Sequence, residues 1–132
     1  INCSGNFTGA SLNYNGATVN LTGATSTIAG NNTFATLGFT RAGVQTITAT
    51  GTTQTATNFV RDNGVTVKTI VNGTFAKRGN LPVDFDFMSI SGSTVTPPDQ
   101  TWYAGTHSTN GGTNSGWLFS NAPHRGHFIT TG

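Results

Sequence analysis

The chain contains no glutamate. Four aspartates are its only acids, and six lysines and arginines are its fixed cations, so 8% of its 132 residues are charged. An ordinary soluble domain carries about a quarter. That scarcity, with a net charge of +2 and 10% aromatic residues, argues against intrinsic disorder, which needs high charge and few aromatics. A nucleic-acid-binding surface needs clustered bases, whereas Arg41, Arg61, Lys68, Lys77, Arg78 and Arg125 are scattered. Cysteine is nearly missing too. Cys3 alone excludes an intramolecular disulfide and a multi-cysteine zinc site. No apolar run reaches the length of a membrane-crossing helix, so no membrane insertion is expected. Helical periodicity is absent over any three turns, and the abundant Gly and Thr disfavour helix. The chain begins with Ile rather than Met, which fits a processed or partial chain.

What is present points to strands. Ala17 to Leu21 alternates apolar and polar residues and stops at Gly23; Phe34 to Thr40 offers Phe34, Leu37 and Phe39 to a core. Val44, Ile47 and Ala49 mark another strand, and Phe59 and Val60 a further one. Val65, Val67, Thr69 and Val71 form one side of a long alternation, as do Val83, Phe85, Phe87 and Ser89. Short strands at close spacing, punctuated by Gly and Asn, read as all-β. A short right-handed parallel β-helix-like solenoid suits this composition best. Stacked Thr and Asn rows bond to one another there, and like charges would be forced together at about 4.8 Å. GNNTFATLGFT and QTATNFVRDNGVTV then represent two versions of one coil. A β-sandwich or jelly roll is the alternative. One domain spans 1–132, with β coils over 1–80, a closing strand and Trp-bearing cap over 81–120, and a tail over 121–132 that reaches a neighbouring subunit.

Two stretches carry a resemblance: GATVNLTGATSTIAGNNTFATLGFT (16–40) and VDFDFMSISGSTVTPPDQTWYAGTHSTNGGTNSGWLFSNAP (83–123). Together they resemble the β-helical repeat region of surface proteins of bacteria and of tail or virion-surface proteins of phages, with WYAG…NSGW.F as the closing motif. The resemblance implies a structural or adhesive scaffold and no catalytic set.

The candidate residues are few. Trp102, Trp117 and Phe119 are expected to cap the open end of the solenoid, where unpaired backbone and apolar core would face water. Trp102 and Tyr103, with the amides of Asn110 and Asn114, are the glycan-binding candidates, since sugars stack on aromatic platforms flanked by polar groups. Asp84 and Asp86 lie two apart on a strand and share a face; two carboxylates there suit Ca²⁺ or glycoside hydrolysis. The plainer reading leaves them on the wet face, with Phe85 and Phe87 in the core. Asp62 and Asp99 read as turn residues, and Lys77-Arg78 as a solvated pair. His124 and His127, with His107, would need a converging loop to hold a metal. Cys3, His124, Arg125, His127 and Phe128 are the interface candidates.

The expectation is a non-enzymatic virion-surface protein of a phage, a tail-fibre or receptor-binding module or a capsid decoration protein, without cofactor. Its partners would be copies of itself (a trimer by analogy), neighbouring virion proteins and host surface glycans. A bacterial extracellular adhesin or filament subunit is the alternative, and a tailspike-like polysaccharide-degrading module a third.

Overall fold

A computed structural model describes residues 2–6, 13–98 and 101–122, and of residues 13–16 the backbone alone. The described residues form eleven strands and no helix: β1 (Asn2–Cys3), β2 (Asn13–Leu21), β3 (Thr25–Thr27), β4 (Asn32–Phe39), β5 (Gln45–Thr48), β6 (Thr53–Arg61), β7 (Lys68–Lys77), β8 (Val83–Asp84), β9 (Met88–Thr96), β10 (Trp102–Tyr103) and β11 (Thr109–Asn110). Every pairing among them is parallel. The chain winds into a β-solenoid of about five turns, and not into the alternative two-sheet sandwich.

The pairing registers define three faces. Face A stacks β3, β5, the first half of β7, the first half of β9 and β11. Face B stacks the first halves of β4 and β6 on the second halves of β7 and β9. Face C stacks β1, the end of β2, and the second halves of β4 and β6. It resumes lower down as the separate pair of β8 and β10, followed by a bridge from Tyr103 to Leu118.

Inward positions stack by turn. Ser26, Ile47, Ile70 and Ile90 form one column, and Val19, Leu37 and Phe59 another. Each buried aliphatic or aromatic side chain contributes about 1.5–3 kcal/mol. Both coil-like stretches noted in the sequence do stack, with Leu37 over Phe59 and Phe34 over Ala56. Matching phenylalanine to phenylalanine would have set the register wrongly.

One corner recurs with a left-handed residue in each turn. Gly30, Gly51, Asn72, Gly92 and Gly112 have φ of 74°, 72°, 59°, 63° and 102°, at intervals of 21, 21, 20 and 20 residues. At the Asn72 corner the following Gly73 (φ 113°) has no room for a side chain: a Cβ would lie 2.7 Å from that of Ala49.

Corners also break the alternations read from the sequence. Val44, Val65 and Val67 are exposed, while Gln45 and Lys68 point inward. Phe87 does not join the core. It takes φ 54°, the phase of alternation slips by one residue, and Met88 and Ile90 go inside instead. Lys77 is buried rather than solvated. The amide rows do bond from turn to turn, as Asn32 Nδ2 to Gln54 Oε1 (3.0 Å) does. The Thr rows of face A do not among the described residues, because a hydroxyl on Cβ is too short to span the turn-to-turn spacing of about 4.8 Å that a longer amide side chain bridges.

Candidate functional site

Face C is where the solenoid departs from its own repeat, and it holds most of the candidate chemistry. In β4 and β6 the chain bends from face B to face C within a single strand. In the next turn residues 78–82 intervene between β7 and β8, and later the chain from Thr96 to Trp102 makes the same passage. The ladder therefore stops between β6 and β8. A cleft of about 280 Å³ lies at the break, lined by Thr36, Asn58, Phe59, Val60 and Leu81–Val83. A groove of about 300 Å³ lies at the neighbouring corner, lined by residues 61–65, 84–87 and Asn121.

Side chains bridge what the backbone does not. Arg61 Nη1 donates to the carbonyls of Asp86 (2.8 Å) and Phe87 (3.0 Å), and Nη2 to those of Gly64 and Thr66 (both 3.0 Å) and to Asp62 Oδ1 (3.1 Å). One guanidinium thus ties the 62–66 loop to the 86–87 corner. Lys68 is fully buried. Its ammonium donates to the carbonyls of Arg41 and Gly43, to Gln45 Oε1 (3.1 Å), and pairs with Asp62 Oδ1 at 3.1 Å. Burial pushes this ammonium below its usual pKa, with Arg61 and Arg41 adding to the push against the pull of Asp62. Partial burial would raise the Asp62 carboxyl, but the bond from Lys68, its charge, the Gly64 N–H and Arg61 together hold it below the usual carboxylate value.

Asp86 and His107 make the second constellation. Asp86 Oδ1 accepts from the N–H of Phe87 and of His107 (both 2.9 Å), and Oδ2 lies 2.8 Å from His107 Nδ1. Desolvation would raise the Asp86 carboxyl; the ring and backbone bonds from His107 and Phe87 outweigh it and hold it low. An ionised carboxylate only accepts, so His107 Nδ1 carries the hydrogen of this bond. The ring stacks on Phe87 at 4.6 Å and 5°. Such an Asp–His pair orients an imidazole as a base does in acyl transfer; here it also fastens one corner to the next. Asp84 is exposed on the groove. Among the described residues no group of three or more His, Cys, Asp or Glu is placed to hold a metal ion.

The aromatic residues of the closing motif line the interior. Trp102 is fully buried and Trp117 8% exposed, their rings 5.4 Å apart and edge to face. Trp102 also packs on Phe59 at 5.1 Å, and Trp117 on Phe85 at 6.1 Å. Phe119 is partly buried against the same cluster. The indoles sit in consecutive turns of the winding, since β10 pairs with β8 and Tyr103 bridges to Leu118. Lys77 Nζ lies 5.8 Å over Trp102 and donates to Leu81 O and Thr101 Oγ1.

The four glycan candidates are not brought together. Trp102 has no face open to a ligand. Tyr103 is on face C, whereas Asn110 belongs to face A. Asn110 Oδ1 accepts from Gly112 N (3.0 Å) and from Asn114 Nδ2 (2.8 Å), and Asn114 also bonds Ile90 O and Ser93 N, so both amides hold the Gly111-Gly112 turn. Cys3 is half-buried, with Sγ 3.5 Å from Gly5 O. Asp99, His124, Arg125, His127 and Phe128 lie outside the described residues. The Arg61 and Lys68 staples were missed in the sequence; a lone cation inside a Thr/Val strand run was the available signal.

No family model matches the chain, and no curated protein or solved structure is detectably similar to it.

Proposed function

We propose that this chain is a non-enzymatic structural module displayed on the surface of a phage virion, as part of a tail fibre or as a capsid decoration element. One observation supports the reading above others: a parallel stack, unbroken on faces A and B, whose scarce charges largely serve as internal staples and leave those two faces clothed in small neutral side chains. Such a body resists local opening, because each turn is hydrogen-bonded to its neighbours. It presents little charge for non-specific attraction. Copies of itself and neighbouring virion proteins are the partners this role requires, with host glycans a further partner for a receptor-binding position.

Electron microscopy of the native particle tests it. The expected result is solenoid density of this chain on the outside of the virion. Finding the chain on a bacterial cell surface instead would replace this reading with the adhesin or filament one. A tailspike-like activity is tested separately on capsular polysaccharide. No depolymerisation is expected, and depolymerisation abolished by Asp84→Asn or Asp86→Asn would overturn the non-enzymatic reading.

A further inference from the structure

We propose that face A is an ice-binding surface, its ligand the ordered water of a growing crystal face. The inference begins with register. Thr25, Thr46, Thr69, Ser89 and Thr109 stack as one outward rank, one residue per turn. Thr27, Thr48, Val71 and Ser91 form a second rank beside it. Eight of these nine residues carry a hydroxyl, and none is charged. Strand geometry sets the grid at about 4.8 Å from turn to turn and about 6.6 Å between ranks, two residues along each strand. No hydroxyl of either rank has a protein hydrogen-bond partner among the described residues. The grid is thus a two-dimensional lattice of hydroxyls whose hydrogen bonds are directed outward.

Prism faces of hexagonal ice repeat their oxygens along one axis at an interval close to the turn-to-turn spacing. A threonine gives such a lattice a hydroxyl to bond and a methyl that excludes disordered water. A charged side chain would hold its own hydration shell and break the layer, so a neutral face complements a neutral solid. Rigidity completes the argument. The inward column under the ranks (Ile47, Ile70, Ile90) is fully buried, so the grid is preorganised and little ordering entropy remains to be lost on binding. Face B carries shorter ranks, Thr53, Thr74, Thr94 and Ser115 beside Thr33, Thr55, Ala76 and Thr96, so that neither reaches the five turns of the longer rank on face A. Face C is broken between β6 and β8 and exposes Asp84. This inference concerns the chain itself and holds wherever the module is displayed.

The test uses the purified chain on a single ice crystal in dilute buffer. Faceted growth and a gap between melting and freezing temperatures are expected. The double variant Thr46→Lys/Thr69→Lys, its fold checked by circular dichroism, should lose both. Thr74→Lys/Thr94→Lys on face B should keep both. If the lysine pair fails to fold, Thr48→Tyr tests face A with one outward change and should shrink the gap. Round, unfaceted crystals with the parent chain would overturn the proposal. So would a folded face A variant as active as the parent, or activity lost only through face B. Retention on microcrystalline cellulose with no effect on ice would overturn it in favour of a polysaccharide lattice.

Discussion

Faces A and B differ from face C in what holds successive turns together. On A and B, from β5 through β9, the backbone ladder is unbroken and the outward positions are small. On C the ladder stops between β6 and β8, and large rings and a guanidinium gather there: Phe59, Trp102 and Arg61, with Lys77 reaching over Trp102 from the end of face B. The difference teaches a division of labour. Where main-chain groups pair, side chains are free to be small and to face outward. Where they do not, long donors and large rings must span the distance.

The sharpest way to break this comparison is Trp102→Ala. Removing a fully buried indole that contacts Phe59, Trp117 and Lys77 should cost about 3–5 kcal/mol in denaturant unfolding. Trp102→Phe should cost much less, because Nε1 has no hydrogen-bond partner to lose. A loss under about 1 kcal/mol for the alanine would show that the break bears no load. Next comes Lys68→Met, which strips the ammonium from three acceptor oxygens and leaves Asp62 paired with Arg61 alone; it should cost about 1–3 kcal/mol. Adding Asp62→Asn should restore part of that loss; a fully additive double mutant would deny the coupling.

Acid supplies a smaller effect. The folded-state pKa values of Asp62 and Asp86 both lie below the ordinary carboxylate value of 3.8. Their contribution is therefore complete above that value and is lost as pH falls through the lowered folded values. The unfolding midpoint should hold steady from neutral pH to about 5 and drop below about 4. Asp86→Asn should flatten that drop only slightly, by less than about 1 kcal/mol, since its carboxylate is 30% exposed and its partner His107 61% exposed. The smallest change belongs to face B: Thr74→Val and Thr94→Val should each shift stability by no more than about 0.5 kcal/mol. A larger shift would mean that the outward ranks help hold the turns together.

Much of the scaffold was legible in the sequence. Ile47 and Ala49 alternate with Thr46, Thr48 and Thr50 and are buried as that alternation implies, and Phe34, Leu37 and Phe39 lie in the core as read. The left-handed corner recurring every 20 or 21 residues was also there to be read, mostly as glycine. What stayed hidden sits at the corners. Val65 and Val67 look like core and are exposed; Lys68 looks exposed and is buried. Phe87 was assigned to the core by an alternation that a left-handed residue resets. Period-2 patterning describes a straight strand, and each corner starts a new phase. The Asp86–His107 pair joins residues 21 apart, a separation that carries no local signal.

By itself, the sequence determined that this chain is all-β, and it favoured stacked parallel turns over a sandwich. Small neutral β-favouring residues punctuated by glycine suit such stacking, because few like charges are forced together from turn to turn. Only the tertiary structure decided where the third face breaks, which cations go inside, and that the two threonine ranks of face A come into register. The reason is that register is a relation between turns about twenty residues apart, set by how each corner bends, and no single strand carries it.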